Sequence, residues 1–244
     1  MTQLALDWHM LAVIWTGAFI GGIATGAAGF AFAVVAASIW LHVLDPLHTT
    51  ALIVSLGIIV QGGLTWTMRR AIEPTRLWPF VVGCAAGVPC GVYLLWTISV
   101  SVLTASLGVF MVVYGLYAVL APRLPYITVG RWADGVIGFI GGLMGGIGGY
   151  SGVVPTMWTQ LRGWSKDVAR GVYQPFILIA HVATIILVGF VALDIKALIL
   201  TVVTLPVVLA GVWVGLRIYG RLDELRFRQM LGLLLIISGA ALVV

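Results

Sequence analysis

The sequence predicts an all-α integral membrane protein. It is built from two internally repeated, inverted halves, each with one glycine-rich re-entrant segment and three transmembrane helices. Three observations carry that expectation. Of 244 residues, 61% are hydrophobic and 9% charged, against about 25% charged in an average soluble domain. Polar punctuation divides the chain into eight apolar segments, at roughly 9–41, 47–68, 77–98, 102–120, 134–159, 172–192, 197–219 and 227–244. The last four segments then repeat the first four. A mean hydropathy of +1.14 excludes a water-soluble domain, a disordered chain and a disulfide-rich module. Thirteen dispersed cations and a net charge of +5 make no basic stripe for nucleic acid. The partners left are the lipid bilayer, a small solute and a second copy of the chain.

A bilayer crossing takes about 20 helical residues, and six segments fit one crossing each. The start, MTQLALDWHML, lacks a cationic stretch and is not expected to be a secretory signal. The first and fifth segments are long, with glycines clustered near their middles. Each is expected to form two half-membrane helices of roughly 14 residues, about 21 Å long, with the glycines at the tip of the hairpin.

These two segments are copies of each other. Phe19-Ile20-Gly21-Gly22 recurs as Phe139-Ile140-Gly141-Gly142, and Gly26, Gly29 and Phe30 match Gly146, Gly149 and Tyr150 at the same offset of 120. Farther on the offset is 124: Gly87-Val88 and Gly91 match Gly211-Val212 and Gly215, Leu107-Gly108 matches Leu231-Gly232, and Gly115 matches Gly239. The repeats are therefore 1–120 and 134–244, joined by a cytoplasmic linker, 121–133, that holds Pro122, Arg123, Pro125 and Arg131. Such duplication is common in secondary transporters.

The cations choose the topology. Eight simple crossings would leave six basic residues on one face and seven on the other. If segments one and five turn back, every basic residue except Lys196 falls on one face, twelve against one, and that face is cytoplasmic. Three crossings per half is an odd number, so the halves are inverted and both termini are extracytoplasmic, in a bacterial-type inner membrane.

The tips are the candidate binding site. Glycine permits a sharp turn, and the half-helix that follows offers free N–H groups and a dipole to an anion. Thr25, Gly26 and Gly29 mark the first tip, and Gly146, Gly148, Gly149, Tyr150 and Ser151 the second. The tips differ in sequence, and the glycine-richer second one is expected to dominate. The competing reading is close helix packing, which Gly83-xxx-Gly87-xxx-Gly91 and Gly138-xxx-Gly142-xxx-Gly146 fit well. Gln61 and His181 are equivalent in the repeat and deep in their segments, where polar side chains mark a cavity or bundle interior. His181 can supply charge to an anion or sit neutral on a backbone carbonyl. Gln174 places an amide beside Pro175. Thr49 and Thr50 are weaker candidates.

Asp7, Asp45, Asp134, Asp167 and Asp194 lie at segment ends, which argues against a cation pathway. The ten tryptophans sit mostly near segment ends, as an interfacial belt. Cys84 and Cys90 read as packing residues. No cofactor or metal is expected. Arg170 reads first as a positive-inside anchor and second as an attractor of anions.

The length, the duplicated four-segment halves, and the glycine-rich tips at 17–30 and 138–152 followed by Pro155 resemble the TauE/SafE family of sulfite exporters. The resemblance covers the whole chain. It implies a permease for sulfite, sulfoacetate or other organosulfonates. Two other readings stand beside it. One is a passive anion channel. The other is a rhomboid-like serine protease, with Ser151 of Gly149-Tyr150-Ser151-Gly152 as nucleophile and His181 as base.

Overall fold

A computed structural model describes residues 8–95, 97, 99–120, 126–192 and 195–243. Asp7, Trp96, Pro122, Arg123, Pro125 and Asp194 lie outside the described residues. The fold is all-helical: α1 (Trp8–Ala28), α2 (Phe32–Trp40), α3 (Pro46–Thr67), α4 (Pro74–Leu95), α5 (Val100–Leu120), α6 (Arg131–Gly148), α7 (Val153–Leu161), α8 (Lys166–Ala192), α9 (Ile195–Tyr219) and α10 (Glu224–Val243). A short 3-10 turn, Arg69–Ala71, joins α3 to α4. Pro46 and Pro74 open α3 and α4, where a missing N–H costs no helical hydrogen bond.

The two glycine-rich segments fold back on themselves. The first breaks at Gly29 (φ +89°) and the second at Gly149 (φ +78°), in left-handed backbone that only glycine adopts cheaply. Gly149 closes α6 with two bonds, its own N–H to Gly145 O at 2.8 Å and Tyr150 N–H to Met144 O at 3.3 Å. The arms are unequal, 21 and 9 residues in the first hairpin and 18 and 9 in the second. This corrects the expectation of even halves: the chain turns only where left-handed glycines stand, and those lie past the middle of each segment. Indole rings tie the returning arms down. Trp40 Nε1 donates to Ile14 O at 3.0 Å, and Trp158 Nε1 to Asp134 Oδ1 at 2.7 Å. Trp40 is wholly buried, so it and Trp158 are hairpin fasteners and not part of an interfacial belt. Asp134 stands at a helix end as expected, yet it is buried, with Arg162 Nη2 3.6 Å away.

Glycine ridges set the helix pairs. Gly138, Gly142 and Gly146 of α6 lie against Phe80, Cys84 and Val88 of α4 in the same order, while Gly22 and Gly26 of α1 lie against Val208 and Val212 of α9. Both pairs run parallel. In lipid no hydrophobic drive pushes helices together, so close backbone approach supplies the attraction. The other two pairs run in opposite directions. Gly57 of α3 faces His181 of α8 while Gly171 of α8 faces Ala71, and Gly115 of α5 faces Gly232 of α10 while Gly239 faces Gly108. The α3–α8 pair is the centre, where Ile53, Leu56, Phe176 and Ala180 are fully buried.

By length and composition, five of the described helices can cross a membrane: α1, His48–Thr67, α4, Lys166–Leu187 and α9, with a shorter apolar stretch at Gly108–Tyr117. The span in α1 belongs to the segment expected to hold only half-length helices. Exposed Val82, Tyr93, Val113, Ile186, Val202 and Ile237 face outward, an apolar surface suited to lipid.

The ridges give a stability contrast. A Cβ at Gly142 would stand 2.9 Å from Cys84 Cα, whereas at Gly63 it meets nothing within 4 Å. Gly142→Val is expected to destabilise by about 1–3 kcal/mol, and Gly63→Ala to leave stability unchanged or slightly higher. Thermal unfolding in detergent micelles measures both.

Candidate functional site

A helix that stops in a buried interior leaves carbonyls without partners. Here the carbonyls of the two left-handed glycines are met by side chains from α3 and α8. Gln61 Nε2 donates to Gly29 O at 2.9 Å, and His181 Nε2 pairs with Gly149 O at 3.1 Å. Both donors are buried. Donors and acceptors alike are related by the offset of 120, so the two halves make the same bond with different chemistry. The tips meet: a Cβ on Gly152 would lie 2.7 Å from Phe30 Cβ.

Each tip also rests on the central helix of the other half. A Cβ on Gly29 would meet the Tyr173 hydroxyl at 2.9 Å and the Gln174 amide at 3.1 Å, while one on Gly149 would meet Ile53 Cγ2 at 2.8 Å and Val54 Cγ2 at 3.5 Å. Ile53 and Val54 are the repeat equivalents of Tyr173 and Gln174. One tip is therefore supported by polar groups and the other by aliphatic ones. The polar support extends one turn along α8. Tyr173 Oη donates to Ala28 O at 2.6 Å, and Arg170 Nη2 to Gly26 O at 3.1 Å. With its amide oxygen turned to the guanidinium, Gln174 accepts from Arg170 Nε at 3.1 Å and Nη2 at 2.8 Å. Arg170 also lies 4.0 Å over the Tyr219 ring. These donors terminate α1 as a cation and a hydroxyl should, at the negative end of its dipole. The polar groups are thus concentrated at the first tip, whereas the glycines are more numerous at the second.

The sequence-derived candidates divide by position. Gln61, Gln174, His181, Gly29, Gly149, Tyr150 and Ser151 gather around the tips, and Thr25 holds the first turn through Phe32 N–H to Thr25 Oγ1 at 3.0 Å. Gly26 and Gly146 lie in helix-to-helix contacts with α9 and α4, and Gly148 lies under the Tyr150 ring. Arg170 is completely buried, so it is no surface anchor. Tyr173 was not among the candidates, although Arg170, Tyr173 and Gln174 stand at i, i+3 and i+4, one face of a helix. Thr49 Oγ1, Gln61 Oε1, Ser151 Oγ, Thr156 Oγ1 and His181 Nδ1 are buried and meet no hydrogen-bond partner among the described residues. Ser151 and His181 share no hydrogen bond, and His181 Nε2 is engaged by the Gly149 carbonyl. The pair is not arranged as nucleophile and base.

A profile of the sulfite exporter TauE/SafE family matches residues 14–242. The match spans nearly the whole chain, and the chain belongs to that family. Membership makes it a membrane transporter and not an enzyme, and implies export of sulfite or organosulfur anions. No curated protein and no solved structure matches it.

The equivalence of Gln61 and His181 makes a sharp test. His181→Gln can remake the bond to Gly149 O, whereas His181→Leu leaves that carbonyl unpaired, at a cost of about 1–3 kcal/mol. Thermal unfolding should place His181→Gln close to the parent and His181→Leu well below it.

Proposed function

We propose that this TauE/SafE member is a permease of a bacterial-type inner membrane that exports small sulfur oxyanions, sulfite or organosulfonates, through a central site between two inverted halves. One observation carries the reading: the equivalent bonds from Gln61 to Gly29 and from His181 to Gly149 converge on two touching tips. Inversion is supported by the opposed directions of the α3–α8 and α5–α10 pairs together with the parallel α1–α9 and α4–α6 pairs. A twofold axis across the bundle relates all four. Under it α2 and α7 are re-entrant, since nine residues rise about 14 Å against a hydrocarbon core of ~30 Å.

The substrate would sit where Thr25, Gly29, Gln61 and Gln174 of one side meet Gly149, Tyr150, Ser151 and His181 of the other. Ser151 Oγ, buried and without a protein partner, is a hydroxyl donor with capacity to spare for an anion. Gly26, Gly146 and Gly148 serve by holding the tip helices in place. Alternating access would rock one half on the other about this site.

Direction follows from electrostatics. An inside-negative potential of 100 mV favours moving one negative charge outward by about 2.3 kcal/mol, roughly fiftyfold in concentration. A uniporter for a monoanion needs no coupling ion to export. In proteoliposomes, sulfite efflux is expected to rise steeply with an imposed potential and to saturate with concentration. Efflux indifferent to potential would count against uniport. Both termini are expected to be extracytoplasmic, so a C-terminal tag should be labelled by an impermeant reagent on intact spheroplasts, and labelling only after lysis would overturn the topology.

A further inference from the structure

Among the described residues two charged side chains are buried, Asp134 and Arg170. Asp134 has its counter-charge, with Arg162 Nη2 at 3.6 Å and the Trp158 indole N–H at 2.7 Å. Arg170 has none: no carboxylate among the described residues stands within ion-pair distance of it. Its neighbours are two carbonyls of α1, the Gln174 amide and the face of Tyr219. The nearby Asp167 is exposed and accepts from the Tyr219 hydroxyl. Dipoles and a ring face offset part of a full charge, yet burying a cation without an anion is expensive. The repeat equivalent of Arg170 is the neutral Thr50. His181 has no carboxylate beside it and no acceptor at Nδ1, surroundings that satisfy only a neutral ring. The two tips together therefore carry a single formal charge, and it is positive.

We propose that Arg170 is the specificity-determining residue of the transport site and restricts the substrate to anions that carry one negative charge. The proposal rests on the tip site described above. Gly29 makes it geometrically possible, because a Cβ there would crowd Tyr173 and Gln174. Its absence lets the first tip lie directly on the Arg170–Gln174 clamp. A monoanion held at the tips, across Gly29 from the guanidinium, gives a neutral pair in low dielectric. A dianion leaves one buried charge uncompensated.

Methanesulfonate and sulfate are both tetrahedral, and they differ by one charge. Dimethyl sulfone has a similar shape and no charge. Uptake of the three labelled compounds into proteoliposomes of the wild-type protein is expected to favour methanesulfonate over sulfate by at least tenfold and to leave dimethyl sulfone at background. Arg170→Gln should reduce the preference for methanesulfonate over dimethyl sulfone at least tenfold, and Arg170→Lys should retain most of it. A purely structural cap of α1 would lower overall flux without changing that ratio. Equal rates for methanesulfonate and sulfate leave transport standing and overturn the charge assignment. So does a folded Arg170→Gln protein with unchanged selectivity. Transport of neither anion removes the transport reading and this proposal with it. If Arg170→Gln fails to fold, the wild-type ratio alone decides.

Discussion

Everything in this molecule depends on how two helix ends are satisfied where water cannot reach. A break in a buried interior strips backbone groups of water, at a cost of several kcal/mol each where they stay unpaired. At both breaks the left-handed glycine presents its carbonyl to a buried side chain from the central helix of its own half, Gln61 for Gly29 and His181 for Gly149. Without those donors the two carbonyls would stay buried and unpaired. Because α3 and α8 also form the central pair, the same side chains that hold the tips connect them to the middle of the bundle.

Packing serves that arrangement. The long arms α1 and α6 lie on α9 and α4 along ridges of glycine. The short arms are fastened by Trp40 and Trp158. The fasteners are equivalent in place but not in chemistry. Ile14 offers a backbone carbonyl where its repeat counterpart Asp134 offers a carboxylate, and the carboxylate brings Arg162 with it. The two contacts hold the same place in their hairpins, with different residues making them.

Much of this was legible in sequence because it is periodic. Apolar runs gave the helices, and a constant offset marked Gln61 and His181 as equivalent, which their matching bonds to Gly29 and Gly149 reflect. The excess of cations on one set of loops pointed to the turning segments. What stayed hidden depends on contacts between distant elements. Trp40 reads as an interfacial tryptophan until α2 folds back on Ile14. Asp134 reads as a loop-edge carboxylate until α7 covers it. Arg170, five positions into α8, reads as an anchor until α1 ends beside it. Unequal arms were missed because glycine content marks where a chain can turn, whereas backbone conformation at Gly29 and Gly149 decides where it does.

If the tips bind the substrate as proposed, the difference between them bears on direction. A symmetric site would present the same face to both sides of the membrane and bind equally from each. Here Arg170, Tyr173 and Gln174 support one tip while Ile53 and Val54 support the other. An anion reaching the first tip would then meet a guanidinium already desolvated and oriented, with little reorganisation left to do. An anion approaching the second meets aliphatic surface and neutral donors. Tight holding on both sides would slow release, since a carrier must let go of what it binds. A charged support at one tip and a neutral support at the other would then combine capture with release, both carried by the central helices α3 and α8.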